Sequence, residues 1–135
     1  MNFYRLLADL IVVFHAAYVA IVVFGVPAIL LGAWRGWPFA RNFWFRVVHL
    51  LMIGIVALEA LVGIFCPVTE WENRLRQLAG QPVERGSFVG RWAHRLIFID
   101  FSPEMLMLCH YLFAAVVIVM FVMIPPHRPR FLSRK

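Results

Sequence analysis

Long apolar runs, each interrupted by single ionisable residues, set the pattern of this chain. Leu6 to Leu31 is apolar apart from Asp9 and His15, long enough for about 20 spanning residues with some tilt. Pro27 falls near its far end, where a kink or an early exit is tolerated. Trp34, Trp37 and Trp44, with Arg35, Arg41 and Arg46, then make a short aromatic and basic connector, the composition of a membrane–water boundary. Val47 to Phe65 is the second predicted span, polar only at His49 and Glu59. Gly54, Ala57, Ala60 and Gly63 give it small residues that let a neighbouring helix come close.

Pro67 ends that span. Thr69 and Glu72 have the spacing of a capping box, predicting a short helix to about Ala79 that Gly80 closes. Gln81 to Gly86 is a turn-rich link, after which Ser87 is placed to cap a segment from Phe88 to Ile99. In that segment Arg91, His94 and Arg95 share one face, and Phe88, Trp92, Leu96 and Ile99 share another. It is too short and too charged for a span, and reads as a helix lying in the interface or dipping into the bundle. Pro103 to Ile124 is the third span, with Pro103 in its first turn and Glu104 beside its positive end. Pro125-Pro126 stops it. The expected fold is therefore all-α and integral to the membrane, with three transmembrane helices and one or two short interfacial or re-entrant helices between spans two and three. Residues 1–124 form one helical domain, and 125–135 is a basic tail expected to be disordered.

Composition agrees. Of 135 residues, 63% are apolar, 16% aromatic and 15% charged, with a mean hydropathy of +0.81. A soluble domain of this size needs a polar shell that such a chain cannot supply. The formal charge of +6 would fit nucleic acid, but the arginines flank apolar runs, so the basic flanks of spans explain them and no nucleic-acid partner is expected. The N-terminal stretch lacks the basic start and small-residue cleavage site of a signal peptide, and is expected to remain as an anchor. Cys66 and Cys109 have no metal-type spacing and make no disulfide framework. With three arginines crowding the connector and four basic residues in the tail, the positive-inside rule favours both in the cytoplasm. The N-terminus and the longer, acid-balanced 66–102 segment then lie on the opposite side.

The ionisable residues inside the spans are the candidate chemistry. At about 1.5 Å per residue, His15 lies roughly 13 Å from the outer end of its span, and Glu59 and His110 each about 10 Å below the ends of theirs. Asp9 lies nearer the surface, and with these three it makes an expected buried polar cluster. The plainest role is structural, with His15, Glu59 and His110 tying the bundle together by hydrogen bonds. His15 and His110 on facing spans would also suit the axial positions of a b-type haem. A metal ion, or a quinone- or proton-handling site, is a further alternative, including a channel or transporter built on Glu59. No Ser/His/Asp set, phosphate loop or catalytic carboxylate pair is visible. A non-catalytic subunit packing in a larger membrane complex, or self-associating, is the first expectation, and a haem, quinone or metal redox protein the alternative.

Leu7-Ala8-Asp9 with His15, then Glu59, then Cys66-Pro67-Val68-Thr69 and Glu72-Asn73, with Ala79-Gly80 and Gly86-Ser87-Phe88, carry a family resemblance. The chain resembles the small bacterial membrane proteins catalogued as domain of unknown function 2784, over most of residues 6–124. The Cys66-Pro67-x-Thr69 element with Glu72-Asn73 is the most specific part. Val83-Glu84-Arg85 stands where the family usually shows an aromatic residue. The resemblance implies a helical protein of the bacterial inner membrane, which makes the side opposite the cytoplasm, where charge places Cys66 to Ser102, periplasmic. It implies no activity.

Overall fold

The computed structural model describes residues 2–64, 66–83 and 86–127. Five α-helices occur in them: α1 (Phe3–Trp34), α2 (Phe43–Val62), α3 (Pro67–Leu78), α4 (Phe88–Ile97) and α5 (Pro103–Met123), with a 3-10 turn at Pro38–Arg41. No strand is present among the described residues. Three helices, α1, α2 and α5, are long and apolar enough to cross a membrane.

The predicted spans are recovered with shifted ends. The second begins at Phe43, because Asn42 accepts a hydrogen bond from the Phe45 amide and caps the helix before the apolar run starts. It closes at Gly63, which takes the left-handed conformation that glycine adopts without penalty. Pro27 does not end α1. The helix runs on to Trp34, although the proline has no N–H for the carbonyl one turn back. The short helix differs more. Pro67 occupies its first position, so it starts two residues before Thr69, and the Thr69 hydroxyl makes no capping bond. Ser87 caps α4 as expected, its hydroxyl accepting from the Gly90 amide at 3.1 Å.

The strongest helix pairings are α1 with α3 and α2 with α5, while α1 meets α2 more lightly. Val22, Ile53 and Val117 form the buried apolar centre of the three spans, with Tyr18, Val26, Leu50 and Phe113 around it. Tyr18 fixes the register of α1 against α2 by donating to the Met52 carbonyl at 2.6 Å. A turn further along, the His49 ring nitrogen Nε2 lies 2.9 Å from the Val22 carbonyl, over the face that Gly25 leaves bare. At the connector end of the bundle Arg46 is buried and donates to the carbonyls of Met120 and Ile124, at 2.8 and 2.9 Å. Helix C-termini leave carbonyls without partners and carry partial negative charge, so this guanidinium both satisfies and complements the end of α5. The His127 amide then bonds the Arg41 carbonyl at 2.8 Å, so His127 comes back onto the connector; the rest of the expected tail, 128–135, lies outside the described residues.

Candidate functional site

At the other end of the bundle α3 and α4 enclose a polar cavity. Cys66 lies against Glu59 and Tyr18, and Arg76, near the end of α3, reaches Asp9. The helix α3 therefore runs antiparallel along the N-terminal half of α1. Its apolar residues Val68, Trp71 and Leu75 face Leu7, Leu10 and Phe14 of α1, while Glu72, Asn73 and Arg76 turn to the other side. There, with Gln81, Arg91 and Trp92, they line a cavity of about 340 Å³.

Glu72 is the electrostatic centre of this site. It is buried, and each oxygen takes one guanidinium: Oε1 accepts from Arg76 Nε and Oε2 from Arg91 Nη2, both at 2.9 Å. A buried carboxylate is tolerable when its charge is balanced and its lone pairs are occupied, and both conditions hold. Arg76 extends the network to the Gln81 side-chain oxygen at 3.1 Å and to Asp9 at 3.4 Å. Beside it the buried His15 ring stacks on Phe88, with centroids 4.1 Å apart, within electrostatic reach of Glu72 and Arg91. His15 Nδ1, Thr69 Oγ1 and Asn73 Oδ1 are all buried without a hydrogen-bond partner among the described residues. This end of the molecule thus gathers several polar atoms that the described residues leave unsatisfied.

The other candidates are placed separately. Asp9 is exposed rather than buried, because its position on α1 faces the rim where Arg76 ends. Glu59 is half-buried against Cys66 and Tyr18. His110 is also half-buried, and its Nδ1 lies 2.6 Å from the Leu106 carbonyl of its own helix. No hydrogen bond joins any two of His15, Glu59 and His110. Of the Cys66-to-Asn73 motif, Cys66 precedes the helix, Pro67 starts it, and Thr69, Glu72 and Asn73 turn inward. Burial pushes the Cys66 thiol up from its ordinary pKa. The backbone near Val68 pulls it down, and the Glu59 carboxylate adds to the rise. Among the described residues no group of three or more His, Cys, Asp or Glu is arranged to hold a metal ion.

Arg76 and Arg91 are the site residues that sequence reasoning missed. The Glu72–Arg76 spacing of four was a readable signal. Arg91 was not readable, since it comes to Glu72 from another helix. Arg46, a connector residue by composition, and His49 are both buried and bonded to neighbouring helices.

Three apolar helices of spanning length, with two short polar helices over one end, define a helical membrane protein. The family model described as Protein of Unknown function (DUF2784) matches residues 5–126, and the chain belongs to that family. No curated protein and no solved structure matches it.

Proposed function

We propose that this chain is a non-catalytic subunit of a larger assembly in the bacterial inner membrane, with the α3–α4 cap periplasmic and the connector and tail cytoplasmic. The observation that supports it most is how little the spans cover one another. In the most apolar 18-residue stretch of each, 17, 17 and 11% of residues are buried. Of the spans only α2 and α5 pack closely, since α1 makes its main contact with α3 and meets α2 lightly, which leaves broad faces of all three open to neighbouring helices. The charge distribution supports the orientation. Every Asp and Glu belongs to the N-terminal half of α1 or to residues 59–104. The connector and tail carry seven basic residues, Arg35, Arg41, Arg46, Arg128, Arg130, Arg134 and Lys135, and no acid.

Purification from native membranes in a mild detergent, followed by native mass spectrometry, tests the reading. A defined complex heavier than one chain and its lipids is expected, either with other subunits or as a self-associated oligomer. A fully stable lone monomer overturns it. The alternative of a b-type haem protein using His15 and His110 predicts a Soret band that is lost when either is changed to Ala. The present partners of those rings, Phe88 and the Leu106 carbonyl, lend it no support.

A further inference from the structure

The second short helix is fastened to the protein at its start. In its first turn Phe88 stacks on His15, Gly90 passes close to Leu106, and Arg91 bonds Glu72. Beyond Arg91 the picture changes. Every residue from 94 to 100 is exposed, and four in a row are large and apolar: Leu96 at 70%, Ile97 at 54%, Phe98 at 83% and Ile99 at 50%. Phe98 is the single described non-glycine residue with positive φ, at 54°, a left-handed conformation that bulky residues rarely take. Its amide still bonds the His94 carbonyl, and His94 Nδ1 meets Asp100 Oδ1 at 2.8 Å across the bend. The bend is thus held shut at its base while its apolar tip is turned outward.

We propose that Leu96 to Ile99 is a wedge that inserts into the acyl region of the adjoining leaflet, so that lipid covers the apolar far end of α4. An exposed apolar run of this kind outside a span requires a cover. Its position decides in favour of lipid. Phe98 precedes Pro103, where α5 begins, by five residues, a reach of at most about 17 Å. The wedge is followed on α5 by the exposed Met105 and Leu108, so it continues a face that the span already presents to lipid. Trp92 and Arg95 stand at its polar border, with the guanidinium 5.9 Å from the ring centroid, and an aromatic residue with a long basic side chain suits the headgroup level. One wall of the polar cavity is then set by protein contacts at Phe88 and Arg91 and by the bilayer at Phe98. This inference rests on the membrane reading and needs no partner subunit.

The test uses the full chain in nanodiscs of phosphatidylethanolamine and phosphatidylglycerol. An environment-sensitive fluorophore is attached at Phe98→Cys, and at Gln77→Cys on the exposed side of α3, in a Cys66→Ser, Cys109→Ser background. The label at 98 is expected to be quenched at least threefold more by lipids doxylated at acyl carbon 5 than the label at 77, and to be spared by aqueous iodide. Quenching by iodide equal to that at 77 overturns the proposal. Protection from both quenchers also overturns it, because protein would then cover the wedge. Photolabelling of the unsubstituted chain with a membrane-confined carbene precursor gives a second reading that needs no folded variant. Peptides holding residues 96–101 should be labelled as heavily as those from α5, and labelling at the level of α3 refutes the wedge.

Discussion

Glu72 of α3 and Arg91 of α4 meet at 2.9 Å with side chains only 5% and 11% exposed, a contact that ties α4 to α3 by charge. A surface pair of the same geometry would be worth under about 1 kcal/mol. Burial changes the balance, because removing one partner leaves the other charge desolvated and uncompensated, at a cost of about 3–5 kcal/mol. Glu72→Ala is expected to destabilise the protein by up to that order, since it removes the buried carboxylate that Arg76 and Arg91 share. Denaturant titration in detergent measures it. Hydrogen exchange over 88–97 should rise more than exchange in α5. A double-mutant cycle with Arg91→Ala should return a coupling of about 1–3 kcal/mol, and a coupling near zero would show that α4 is held by other contacts.

Gly25 and His49 give a steric test of how α1 and α2 pack. A Cβ at Gly25 would overlap the His49 ring, lying 2.6 Å from its Cδ2 atom, so the ring must leave the Val22 carbonyl or the helices must part. Gly25→Ala is therefore expected to cost about 1–3 kcal/mol, despite alanine's better helix propensity. The clash outweighs the propensity gain of roughly 1 kcal/mol. Gly25→Ala in a His49→Ala background should cost much less, because the ring it strikes is gone. Thermal midpoints of the four proteins in one detergent decide it, and equal shifts in both backgrounds would rule out the ring contact.

Arg46 invites the objection that a buried guanidinium is a liability which an apolar replacement would cure. Its partners decide otherwise. The Ile124 carbonyl lies past the end of α5, where no helical N–H is waiting, while the Met120 carbonyl also accepts from the Ile124 amide, so removing the arginine strands the Ile124 oxygen as well as losing two charge-assisted bonds. Arg46→Met is expected to destabilise by about 1.5–3 kcal/mol. Arg46→Lys should recover only part of that, because both bonds come from the terminal Nη2, which the shorter lysine side chain does not reach, and an ammonium cannot lie flat near Phe121. Full recovery by lysine would mean that charge alone matters at this end. Unfolding in detergent followed by circular dichroism reads the difference.

The three spans were legible because length and hydropathy suffice to define them, and Pro103 marked the start of the third, as Pro67 and Ser87 marked the starts of the two short helices. Rise per residue also gave useful depths for His15, Glu59 and His110. What depth cannot supply is the direction a side chain faces. Helices that are apolar nearly all round have no polar stripe to fix their rotation, so equal depth did not imply contact. His15 turned to Phe88, Glu59 to Cys66, and His110 to its own backbone. The polar centre formed instead in the cap, where Glu72 gained Arg91 from 19 residues away. Thr69 and Glu72 had the spacing of a capping box, but Pro67 moved the helix start two residues earlier and both side chains went inward.

The pairing of Cys66 with Glu59 makes a prediction in pH. Burial, with a smaller contribution from the Glu59 carboxylate, holds the Cys66 thiol above its ordinary pKa. Less thiolate is then present at neutral pH than on a free cysteine, and alkylation is slow because the thiolate is the nucleophile. In a Cys109→Ser chain, the rate of maleimide addition to Cys66 should lie well below that of a peptide thiol at pH 7.5 and keep rising beyond the pH where the peptide levels off. The sign for stability follows from the same shift. A raised pKa means that the folded state holds its proton more tightly, so this contribution is present below the unfolded thiol's pKa and is lost as pH climbs through the folded value. Glu59→Gln removes the nearby negative charge, lowers the thiol's pKa and should speed alkylation at pH 8 about two- to fivefold, less than one pKa unit's worth because burial remains. An unchanged rate would place the Glu59 carboxylate out of reach of Cys66.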